Sequence, residues 1–361
     1  MHRAVPFRAF RGEAKIKKEN TMKKALLIAG SGTLGASTYP ELVRNGWKVD
    51  VVSLEDYKSV SPRLDFIKAR ADYAYLEKLF AERGRYDAVV DFVLTVDVEE
   101  LKKRMDLILA NTDQFVYVSS YRTYSDRDST VTEETPQWLD TTADPEFLEK
   151  DDYAIPKAKG ERYLQSLPAK NWTIIRPIIS FTHFRLDLVT VGAYAILYRT
   201  AAGKKIPLPA EVKDKHCGVT WAGNTGLQLA RLMGNGAALG EAFTLGTDEG
   251  LTWGDVAKFY EEFAGARFEW VPVEDYLAIA TENKYMDRQM IFTDRNLDRR
   301  VDFSKVERVT GLSAKDYKSC RDAVADELTF LSERPDLVAR FDTPLRRELD
   351  AKMDVYFGGR E

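Results

Sequence analysis

The chain has 361 residues, of which 44% are hydrophobic and 30% are charged, a composition that supports two domains with full hydrophobic cores. The net charge of −4 argues against a dedicated nucleic-acid-binding protein, because such proteins usually carry a basic surface. Two cysteines, Cys217 and Cys320, do not make a disulfide framework, and three histidines do not suggest a zinc site, so no metal is expected. No apolar run is long enough to span a bilayer. We therefore expect a cytoplasmic, reducing location and no membrane partner.

The first 21 residues differ from the rest of the chain. They show no apolar periodicity, and their basic residues, which outnumber Glu13 and Glu19, are Arg3, Arg8, Arg11, Lys15, Lys17 and Lys18. We therefore predict a disordered basic arm over residues 1–21. The apolar run that follows, residues 25–29, is too short for the hydrophobic region of a signal peptide.

A glycine-rich turn follows the first predicted strand. Residues 24–28 form a short apolar run that is typical of a buried parallel strand, and the residues after the turn are predicted to be helical. Glycines let the backbone turn tightly and approach a pyrophosphate, while the helix N-terminus attracts the anion. We predict that a dinucleotide is bound here by Gly30, Ser31, Gly32, Thr33, Leu34 and Gly35. A plain strand-to-helix turn is the alternative.

Strand and helix patterns alternate along the next part of the chain. Further strands are predicted at residues 49–53, 66–67, 86–93, 114–118 and 172–176, with helices up to residue 45 and at 74–83 and 98–110. This order is typical of an α/β protein with a parallel, doubly wound sheet, which binds its ligand beyond the carboxyl ends of the strands. Ser119 and Ser120 lie at such an end.

Tyr153 and Lys157 are four residues apart and would share one face of a helix. A cation beside a phenol stabilises the phenolate, so the tyrosine can exchange a proton with a substrate hydroxyl near neutral pH. Pro156 is tolerated in a helix only in the first turn, so this helix is predicted to begin close to Tyr153, with Asp151 or Asp152 near its cap. Together with the glycine-rich turn, the pair indicates hydride chemistry at a carbon bearing a hydroxyl or carbonyl.

Four motifs occur in an order that resembles a known family. They are Gly30-Ser31-Gly32-Thr33-Leu34-Gly35, Ser119-Ser120-Tyr121-Arg122-Thr123-Tyr124, Tyr153-x-x-x-Lys157 and Arg176-Pro177. Their order and spacing resemble the extended short-chain dehydrogenase/reductases and, within them, the NAD-dependent epimerase/dehydratase family. The resemblance covers nearly the whole chain after residue 22. It implies an NAD(P)-binding Rossmann domain over residues 22–180. Residues 181–361 would form a smaller, mainly substrate-binding α/β domain, with some segments returning to the Rossmann sheet.

The resemblance assigns roles to three residues. Ser120 would hydrogen-bond the reacting hydroxyl or carbonyl, Tyr153 would be the general acid/base, and Lys157 would bind the nicotinamide ribose and assist Tyr153. Tyr153 and Lys157 are therefore expected among both the catalytic and the cofactor-binding residues. In the structural alternative, Ser120 caps a strand end, and Tyr153 and Lys157 are ordinary helix residues.

The resemblance also implies an activity. The implied protein is an NAD(P)-dependent epimerase or reductase that acts on a hydroxylated, sugar-derived small molecule by reversible hydride transfer. Tyr121 and Arg122 stand where sugar-nucleotide dehydratases have Asp-Glu, so dehydration is disfavoured. A dehydrogenase that releases its reduced cofactor stays open. So does a non-catalytic NAD(P)-binding sensor or RNA-associated protein of the same fold, although the acidic net charge argues against nucleic acid as a partner.

Several residues depart from the family pattern around the cofactor. Ala29 replaces the first glycine, and Ser53 stands where NAD-specific members carry the aspartate that accepts ribose hydroxyls. Glu55 or Asp56 can substitute for that carboxylate, or can form a solvated turn. Arg70 occupies the place of the adenine-contacting aspartate and can meet a 2′-phosphate, or can be a surface arginine. Ser53 and Arg70 are therefore expected at the cofactor, which is NAD or NADP, with NAD favoured.

The substrate side offers fewer signals. Ile178-Ile179-Ser180 lacks the asparagine with which sugar-nucleotide epimerases hold the diphosphate. Four basic residues are candidate contacts for an anionic substrate: Arg185, Lys215, His216 and Arg295. The alternative is that each is a solvated surface residue.

A homodimer is expected from the apolar content of the 98–110 helix. Its apolar residues, Leu101, Met105, Leu107, Ile108 and Leu109, spread more widely than one core-facing stripe. In relatives this helix and the one that begins near Tyr153 pack against their copies in a four-helix interface, and an isologous dimer is the commonest oligomer. The alternative is that the extra apolar residues of this helix pack only against C-terminal helices of the same chain.

Overall fold

The computed structural model describes residues 22–281 and 283–359, so the basic arm predicted for residues 1–21 lies outside the described residues. The strands are β1 Lys24–Ile28, β2 Lys48–Ser53, β3 Leu64–Lys68, β4 Ala88–Asp91, β5 Phe115–Val118, β6 Thr130–Val131, β7 Trp172–Pro177, β8 Ile179–Phe181, β9 Lys205–Pro209, β10 Val219–Trp221, β11 Glu241–Leu245, β12 Arg267–Val271 and β13 Arg300–Val301.

Helices follow most of these strands. They are α1 Thr33–Arg44, α2 Tyr73–Arg83, α3 Val98–Ala110, α4 Trp138–Thr141, α5 Pro145–Lys150, α6 Ala154–Ser166, α7 Ala193–Ala201, α8 Ala222–Leu232, α9 Trp253–Ala264, α10 Val273–Ile279, α11 Lys284–Met290, α12 Ser304–Thr310, α13 Cys320–Ser332, α14 Pro335–Val338 and α15 Pro344–Gly358.

Seven parallel strands form the central sheet, in the order β11-β7-β5-β4-β1-β2-β3. The chain runs outward from β1 to β3 and then returns to start again at β4 on the other side of β1. Ligands of such sheets bind where this reversal opens a crevice at the carboxyl ends of the strands. The α/β, doubly wound fold class predicted from the sequence is confirmed.

The sheet is covered on both faces, as its strand sequences require. In β1, Leu26 and Ile28 belong to one hydrophobic cluster, together with residues of α2 and α3. Ala25 and Leu27 point to the opposite face and join the larger cluster, and all four side chains are fully buried. Successive strand residues point to opposite faces, so an uninterrupted apolar strand indicates burial on both sides.

The C-terminal half adds short parallel pairs, β8 with β10, β9 with β12 and β6 with β13. β11 returns to the central sheet and pairs with β7. The larger hydrophobic cluster extends from Ala25 to Phe357, so both halves of the chain share buried contacts. Among the helices of residues 22–281 and 283–359, none combines the length and apolar character needed to cross a membrane.

The observed element boundaries differ most from the predicted ones at two strands. The strand predicted at residues 86–93 is shorter, because Tyr86 makes only an isolated bridge with Thr112 and the chain turns away after Asp91. β3 is longer than predicted, because Leu64, Asp65 and Lys68 also pair with β2 at the edge of the sheet. The 98–110 helix matches α3, and α6 begins directly after Tyr153 as predicted.

Candidate active site

Two connected cavities lie at the carboxyl ends of the central strands. The first, which we call the reaction cleft, has a volume of about 400 Å³ between the glycine-rich turn and the ends of β5 and β7. The second, the adenosine groove, has about 890 Å³ at the ends of β2, β3 and β4. Ala29 and Leu94 line both, so the two form one elongated site. Predicted site residues that line the reaction cleft are Gly32, Thr33, Leu34, Gly35, Ser120, Tyr153 and Lys157.

The glycine-rich turn presents open backbone to the reaction cleft. Gly32 is the N-cap of α1, and a Cβ there would meet nothing within 4 Å. A Cβ on Gly35 would lie 2.3 Å from the carbonyl oxygen of Gly30, so Gly35 is required for close packing of helix on strand. The first N–H groups of a helix lack intrahelical acceptors, and those of α1 are therefore available to an anion.

Ala29 occupies a backbone conformation that favours glycine. Its φ is 55°, in the left-handed region where a Cβ crowds the following carbonyl. The resemblance places a glycine at this position, and the structure shows why one would suit it. The alanine methyl group instead lies at the junction of the two cavities.

A carboxylate is held at the end of β2 by two serines. Glu55 Oε2 accepts a hydrogen bond from Ser31 Oγ at 2.9 Å and a second from Ser53 Oγ, while the two hydroxyl oxygens are 2.9 Å apart. The hydrogen bonds from Ser53 and then Ser31 lower the pKa of Glu55 below its usual value. Oε1 makes no hydrogen bond within the described residues. Glu55 therefore offers a free carboxylate oxygen beside Ser53, the residue at the position of the expected aspartate.

Other charges around the adenosine groove differ in how firmly they are held. Arg70 lines the groove, is exposed and has no polar partner within residues 22–281 and 283–359. Asp56 instead points to Lys68, 3.7 Å away, and both are largely exposed. Arg104 is buried in an ion pair with Asp91 and also donates to the carbonyl oxygen of residue 71 at 2.6 Å. The Asp91–Arg104 pair fixes the loop after β3 against the end of β4.

The two serines at the end of β5 have different surroundings. Ser120 lines the reaction cleft, and its Oγ accepts a hydrogen bond from the backbone N of Arg122 at 3.2 Å. Ser119 donates to buried Glu161, which also receives hydrogen bonds from Gln137 at 2.8 Å and from Arg176. Ser119 is therefore committed to a buried polar network, whereas the hydroxyl hydrogen of Ser120 remains available to a ligand.

Tyr124, the second of two tyrosines that follow these serines, is not available to a ligand. It is fully buried, and its hydroxyl lies 2.7 Å from Thr244 Oγ1 and 2.8 Å from Arg176 Nη1. Burial raises the pKa of Tyr124 to about 12. Tyr153 and Tyr121 line the reaction cleft, and the Tyr121 hydroxyl is committed to a hydrogen bond with buried Asp294.

The start of α6 is fixed by one carboxylate. Asp151 Oδ1 accepts hydrogen bonds from the backbone N of Tyr153 at 2.8 Å and of Ala154 at 2.6 Å, and more weakly from Ile155 at 3.4 Å. Pro156 lies in the first turn, where its missing N–H has no intrahelical acceptor. The predicted cap and the predicted tolerance of proline are both confirmed.

Lys157 extends from this helix to the end of β5. Its Nζ donates to the carbonyl oxygen of Val118 at 2.6 Å and lies 5.4 Å from the centre of the Tyr117 ring. Burial lowers the pKa of the Lys157 ammonium. Ser120, Tyr153 and Lys157 therefore line one cleft, Ser120 from the end of β5 and the other two from the start of α6.

Arg122 is a buried cation beside Tyr153 that the sequence did not identify as a ligand contact. Its guanidinium lies 5.4 Å from the centre of the Tyr153 ring, and its Nη2 is 3.4 Å from Asp151 Oδ2. Its Nε is buried without a hydrogen-bond partner among the described residues. The only sequence signal was its position two residues after Ser120.

A second group of charges closes the opposite side of the cleft. Asp294 accepts hydrogen bonds from Tyr121, from Arg295 and, at 3.2 Å, from Arg299. Arg295 Nε also lies 3.4 Å from the carbonyl oxygen of Val189, whose φ of 57° is rare for a β-branched residue. Such strained conformations and π-helical turns, as at Ile291–Arg295, occur preferentially at functional sites.

The four candidate anion contacts have separate locations. Arg185 and Arg295 line the reaction cleft, and since Arg295 is buried, the surface-residue alternative is wrong for it. Lys215 and His216 are not among the cleft-lining residues, and His216 Nε2 lies 2.9 Å from Asp248. Over residues 22–281 and 283–359, no three His, Cys, Asp or Glu side chains group as a metal site.

Comparisons with known proteins find similarity in structure only. Neither a protein-family model nor a curated protein matches the sequence. The epimerase Mth375 from Methanothermobacter thermautotrophicus is 17% identical with a TM-score of 0.65, over 88% of this chain and 95% of that one. UDP-glucuronic acid 4-epimerase from Bacillus cereus, solved with UDP-glucuronic acid and NAD, is 13% identical with a TM-score of 0.63, over 86% and 99%.

A third solved structure matches to a similar degree. WbmH from Bordetella bronchiseptica, solved with NAD⁺, is 15% identical with a TM-score of 0.63, over 86% of this chain and 99% of that one. At these identities the likeness establishes the fold. The chain therefore has the Rossmann-type fold of these three proteins along most of its length, as its motifs predict.

Proposed function

We propose that the protein is an NAD-dependent enzyme of the extended short-chain dehydrogenase/reductase type, an epimerase or reductase of a hydroxylated, sugar-derived small molecule. The observation that carries the proposal is the placement of Ser120, Tyr153 and Lys157 in one cleft beside the open backbone at Gly32. Residues 22–180 would bind the cofactor, and the later part of the chain would mainly bind the substrate. Two solved proteins of the same fold support this proposal, a UDP-glucuronic acid 4-epimerase in complex with NAD and the enzyme WbmH in complex with NAD⁺.

Each of the three residues has a chemical task in this mechanism. Ser120 donates a hydrogen bond to the oxygen on the reacting carbon, and Tyr153 removes the hydroxyl proton and returns it. The buried ammonium of Lys157 stabilises the phenolate during that transfer and would contact the nicotinamide ribose. When bound, the dinucleotide supplies the hydride acceptor and donor.

The residues at the cofactor site fit NAD better than NADP. The open Gly32 and the first turn of α1 suit a pyrophosphate. Glu55 offers one free carboxylate oxygen to the ribose hydroxyls and would repel a 2′-phosphate. Arg70 lies farther along the groove as an exposed cation and is available to the adenine or, in NADP, to the extra phosphate.

The reaction type can be read from the nucleotide that accompanies the purified protein. An epimerase must return the hydride to the same substrate, so we expect one NAD per chain in mass spectra of nucleotide released by denaturation. A protein purified empty but binding NAD would instead indicate a dehydrogenase with a dissociable cofactor. A protein that binds neither NAD nor NADP would contradict the proposal.

Tyr153→Phe tests the acid/base role directly. We expect loss of about 10²–10⁴-fold in turnover, with NAD affinity within a few-fold of wild type, because the phenol acts on the substrate proton. Turnover is measured by chromatography of epimers formed from UDP-hexoses and UDP-hexuronic acids. Tyr163→Phe is the matched control, since Tyr163 is on the outer face of the same helix, bonded to Asp106. Activity of Tyr153→Phe above a tenth of wild type would remove Tyr153 from the mechanism.

A further inference from the structure

The charged residues that line the reaction cleft are mostly cations. Arg122, Lys157, Arg185 and Arg295 contribute positive charge, and Asp294 is the carboxylate that lines the same cleft. The pyrophosphate of a bound dinucleotide would lie at the glycine-rich turn, and the nicotinamide ring beside Tyr153 and Lys157 is cationic when oxidised, so the cofactor would bring no anion next to Arg122. The imbalance therefore concerns the substrate.

Arg122 lies where the reacting carbon would bind. Its backbone N contacts the Ser120 hydroxyl, and its guanidinium lies over the Tyr153 ring, so both groups that would handle the reacting oxygen are its neighbours. Only 5% of its side chain is exposed, its contact with Asp151 is long at 3.4 Å, and its buried Nε has no partner among the described residues. Asp151 is also engaged with the N–H groups of α6 through its other oxygen. Arg122 therefore retains donor capacity towards the cleft.

Arg295 is a second guanidinium in the cleft, and its positive charge is only partly balanced by a neighbouring carboxylate. Its nearest carboxylate, Asp294, is shared with Arg299 and with the hydroxyl of Tyr121. Burial favours the neutral form of Asp294, but Arg295 and Arg299 together outweigh burial and lower its pKa, so it remains ionised. A single carboxylate cannot neutralise two arginines.

The charge balance distinguishes this cleft from other buried ion pairs in the protein. Three buried cations line the cleft, Arg122, Lys157 and Arg295, and a fourth, Arg299, pairs with Asp294 from outside it. The buried carboxylates are Asp294, which lines the cleft, and Asp151, which lies beside Arg122. The more exposed Arg185 is balanced by Asp187. Elsewhere, Arg104 pairs with Asp91 and Arg176 with Glu161, one cation to one carboxylate. Uncompensated buried charge is strongly unfavourable, so an excess of cations indicates a site that is completed by an anion.

We propose that the substrate carries a carboxylate on the carbon next to the reacting carbinol, and that Arg122 and Arg295 bind it. The proposal rests on the proposed function, because it places the carboxylate relative to Ser120 and Tyr153. A planar guanidinium matches a carboxylate through two parallel hydrogen bonds. The diphosphate of a sugar nucleotide is separated from the reacting carbon by the sugar ring and does not suit Arg122, which contacts the acid/base tyrosine.

Calorimetric titration of the NAD-loaded protein separates the carboxylate from the diphosphate. The probes are UDP-glucuronic acid, UDP-glucose, which has the same diphosphate and a neutral hydroxymethyl group, and the free sugars D-glucuronate and D-glucose. We expect each acid to bind at least about tenfold more tightly than its neutral counterpart, since hydrogen bonds to charged groups have this magnitude. Equal affinities within both pairs, or no measurable binding of either acid, would overturn the proposal.

Substitutions assign the effect to the arginine. In Arg122→Met the preference for the acids should fall to about threefold or less, and Arg122→Lys, which keeps the charge but not the planar fork, should retain part of it. Arg44→Met is the control, because Arg44 is exposed at the end of α1 and pairs with Glu41. Equal weakening of UDP-glucuronic acid and UDP-glucose in Arg122→Met would assign Arg122 to the diphosphate and overturn the proposal. Failure to bind NAD refutes the proposed function, whereas NAD binding without a preference for acids refutes only this inference.

Discussion

At the residue scale, the choice between NAD and NADP is expected to depend on Glu55. The residue at the strand end, Ser53, has no charge, but it orients the Glu55 carboxylate together with Ser31. The carboxylate thus belongs to Glu55, which is two positions after Ser53, where the family pattern has an aspartate. Spacing alone could not decide between Glu55 and Asp56, because one of the hydrogen bonds that hold Glu55 comes from Ser31, 24 residues earlier in the chain.

We predict that Glu55→Gln raises NADP affinity by about tenfold and weakens NAD binding only a few-fold. The substitution removes a negative charge that would face the 2′-phosphate and keeps an oxygen acceptor for the ribose; at a partly exposed site such a charge contributes about 1 kcal/mol. Fluorescence titration with both nucleotides measures the change. Asp56→Asn should leave both affinities unchanged, since Asp56 faces Lys68. An unchanged NADP affinity in Glu55→Gln would show that Glu55 does not contact the ribose site.

Ala29 provides a second prediction at this scale. A left-handed backbone conformation destabilises a residue with a Cβ by about 1–2 kcal/mol, and Ala29→Gly removes this strain. Glycine also gives the unfolded chain more conformational freedom, which destabilises the folded state by roughly 0.4–1 kcal/mol. The net expectation is that Ala29→Gly stabilises the protein by about 0.5–1 kcal/mol. Ala36→Gly, inside α1, should destabilise by about 1 kcal/mol. Urea denaturation of the two variants and wild type measures both. Equal destabilisation in both variants would show that the φ of 55° at Ala29 is not strained.

Residues of the site were predictable from sequence where their signals are local. Ser120 follows a strand, and Tyr153 and Lys157 share a helix turn, so spacing identified them. Asp294 is 173 positions from Tyr121, to which it is bonded, and only the folded C-terminal half brings it to the cleft. No periodicity in the sequence reports a contact of that range. The charge of Arg122 was visible, but its burial was not.

At the element scale, the turn between β1 and α1 separates a binding glycine from a packing glycine. We predict that Gly32→Val abolishes dinucleotide binding with little loss of stability, because its Cβ points into open space within the cleft. Gly35→Ala should instead destabilise the fold by about 1–3 kcal/mol or more, because its Cβ would lie 2.3 Å from a backbone oxygen. Thermal melts with and without NAD measure both effects. An NAD-dependent increase in melting temperature that survives in Gly32→Val would contradict a cofactor role for the turn.

Element boundaries were predictable where capping residues fix them. α6 begins at Ala154 because Asp151 and Pro156 permit no earlier start, and both are visible in the sequence. α3 likewise begins after Asp97, whose side chain accepts from Glu100 N. The ends of β4 have no comparable signal, since tertiary pairing with β1 and β5 decides how many apolar residues join the ladder.

At the scale of the whole molecule, the homodimer stays a prediction. Three of the residues on which it depended, Leu101, Met105 and Ile108, are buried within the chain, and Leu107 and Leu109 are partly buried against the same cluster. The outer side of α3 therefore provides less apolar surface than its sequence suggested. Light scattering at micromolar concentration tests the expectation, and the mass of one 41.1 kDa chain would contradict it.

The last prediction concerns acid stability and the attachment of α13 to the rest of the fold. Glu327 accepts hydrogen bonds from the backbone N of His183 at 2.8 Å and from Trp221 Nε1 at 2.7 Å, and His183 Nδ1 lies 2.8 Å away. Burial alone would raise the pKa of Glu327, but the hydrogen bonds from His183 and Trp221 outweigh burial and lower it below the usual 4.5. A carboxyl with a lowered folded-state pKa stabilises the fold above its unfolded-state pKa. That stabilisation is lost as the pH falls through the folded-state pKa.

Glu327→Gln should therefore lower the melting temperature at pH 7, by an amount that corresponds to about 1–3 kcal/mol. The difference from wild type should shrink as the pH falls below 4.5 and be lost once the pH has fallen through the lowered folded-state pKa, because the protonated wild-type carboxyl resembles the amide. Asp214→Asn, at an exposed position, should follow the wild-type curve throughout. Melting curves from pH 7 to pH 3 measure all three proteins. A difference between Glu327→Gln and wild type that stays constant over this range would show that the charge of Glu327 does not stabilise the fold, since only an ionised carboxylate makes the effect depend on pH.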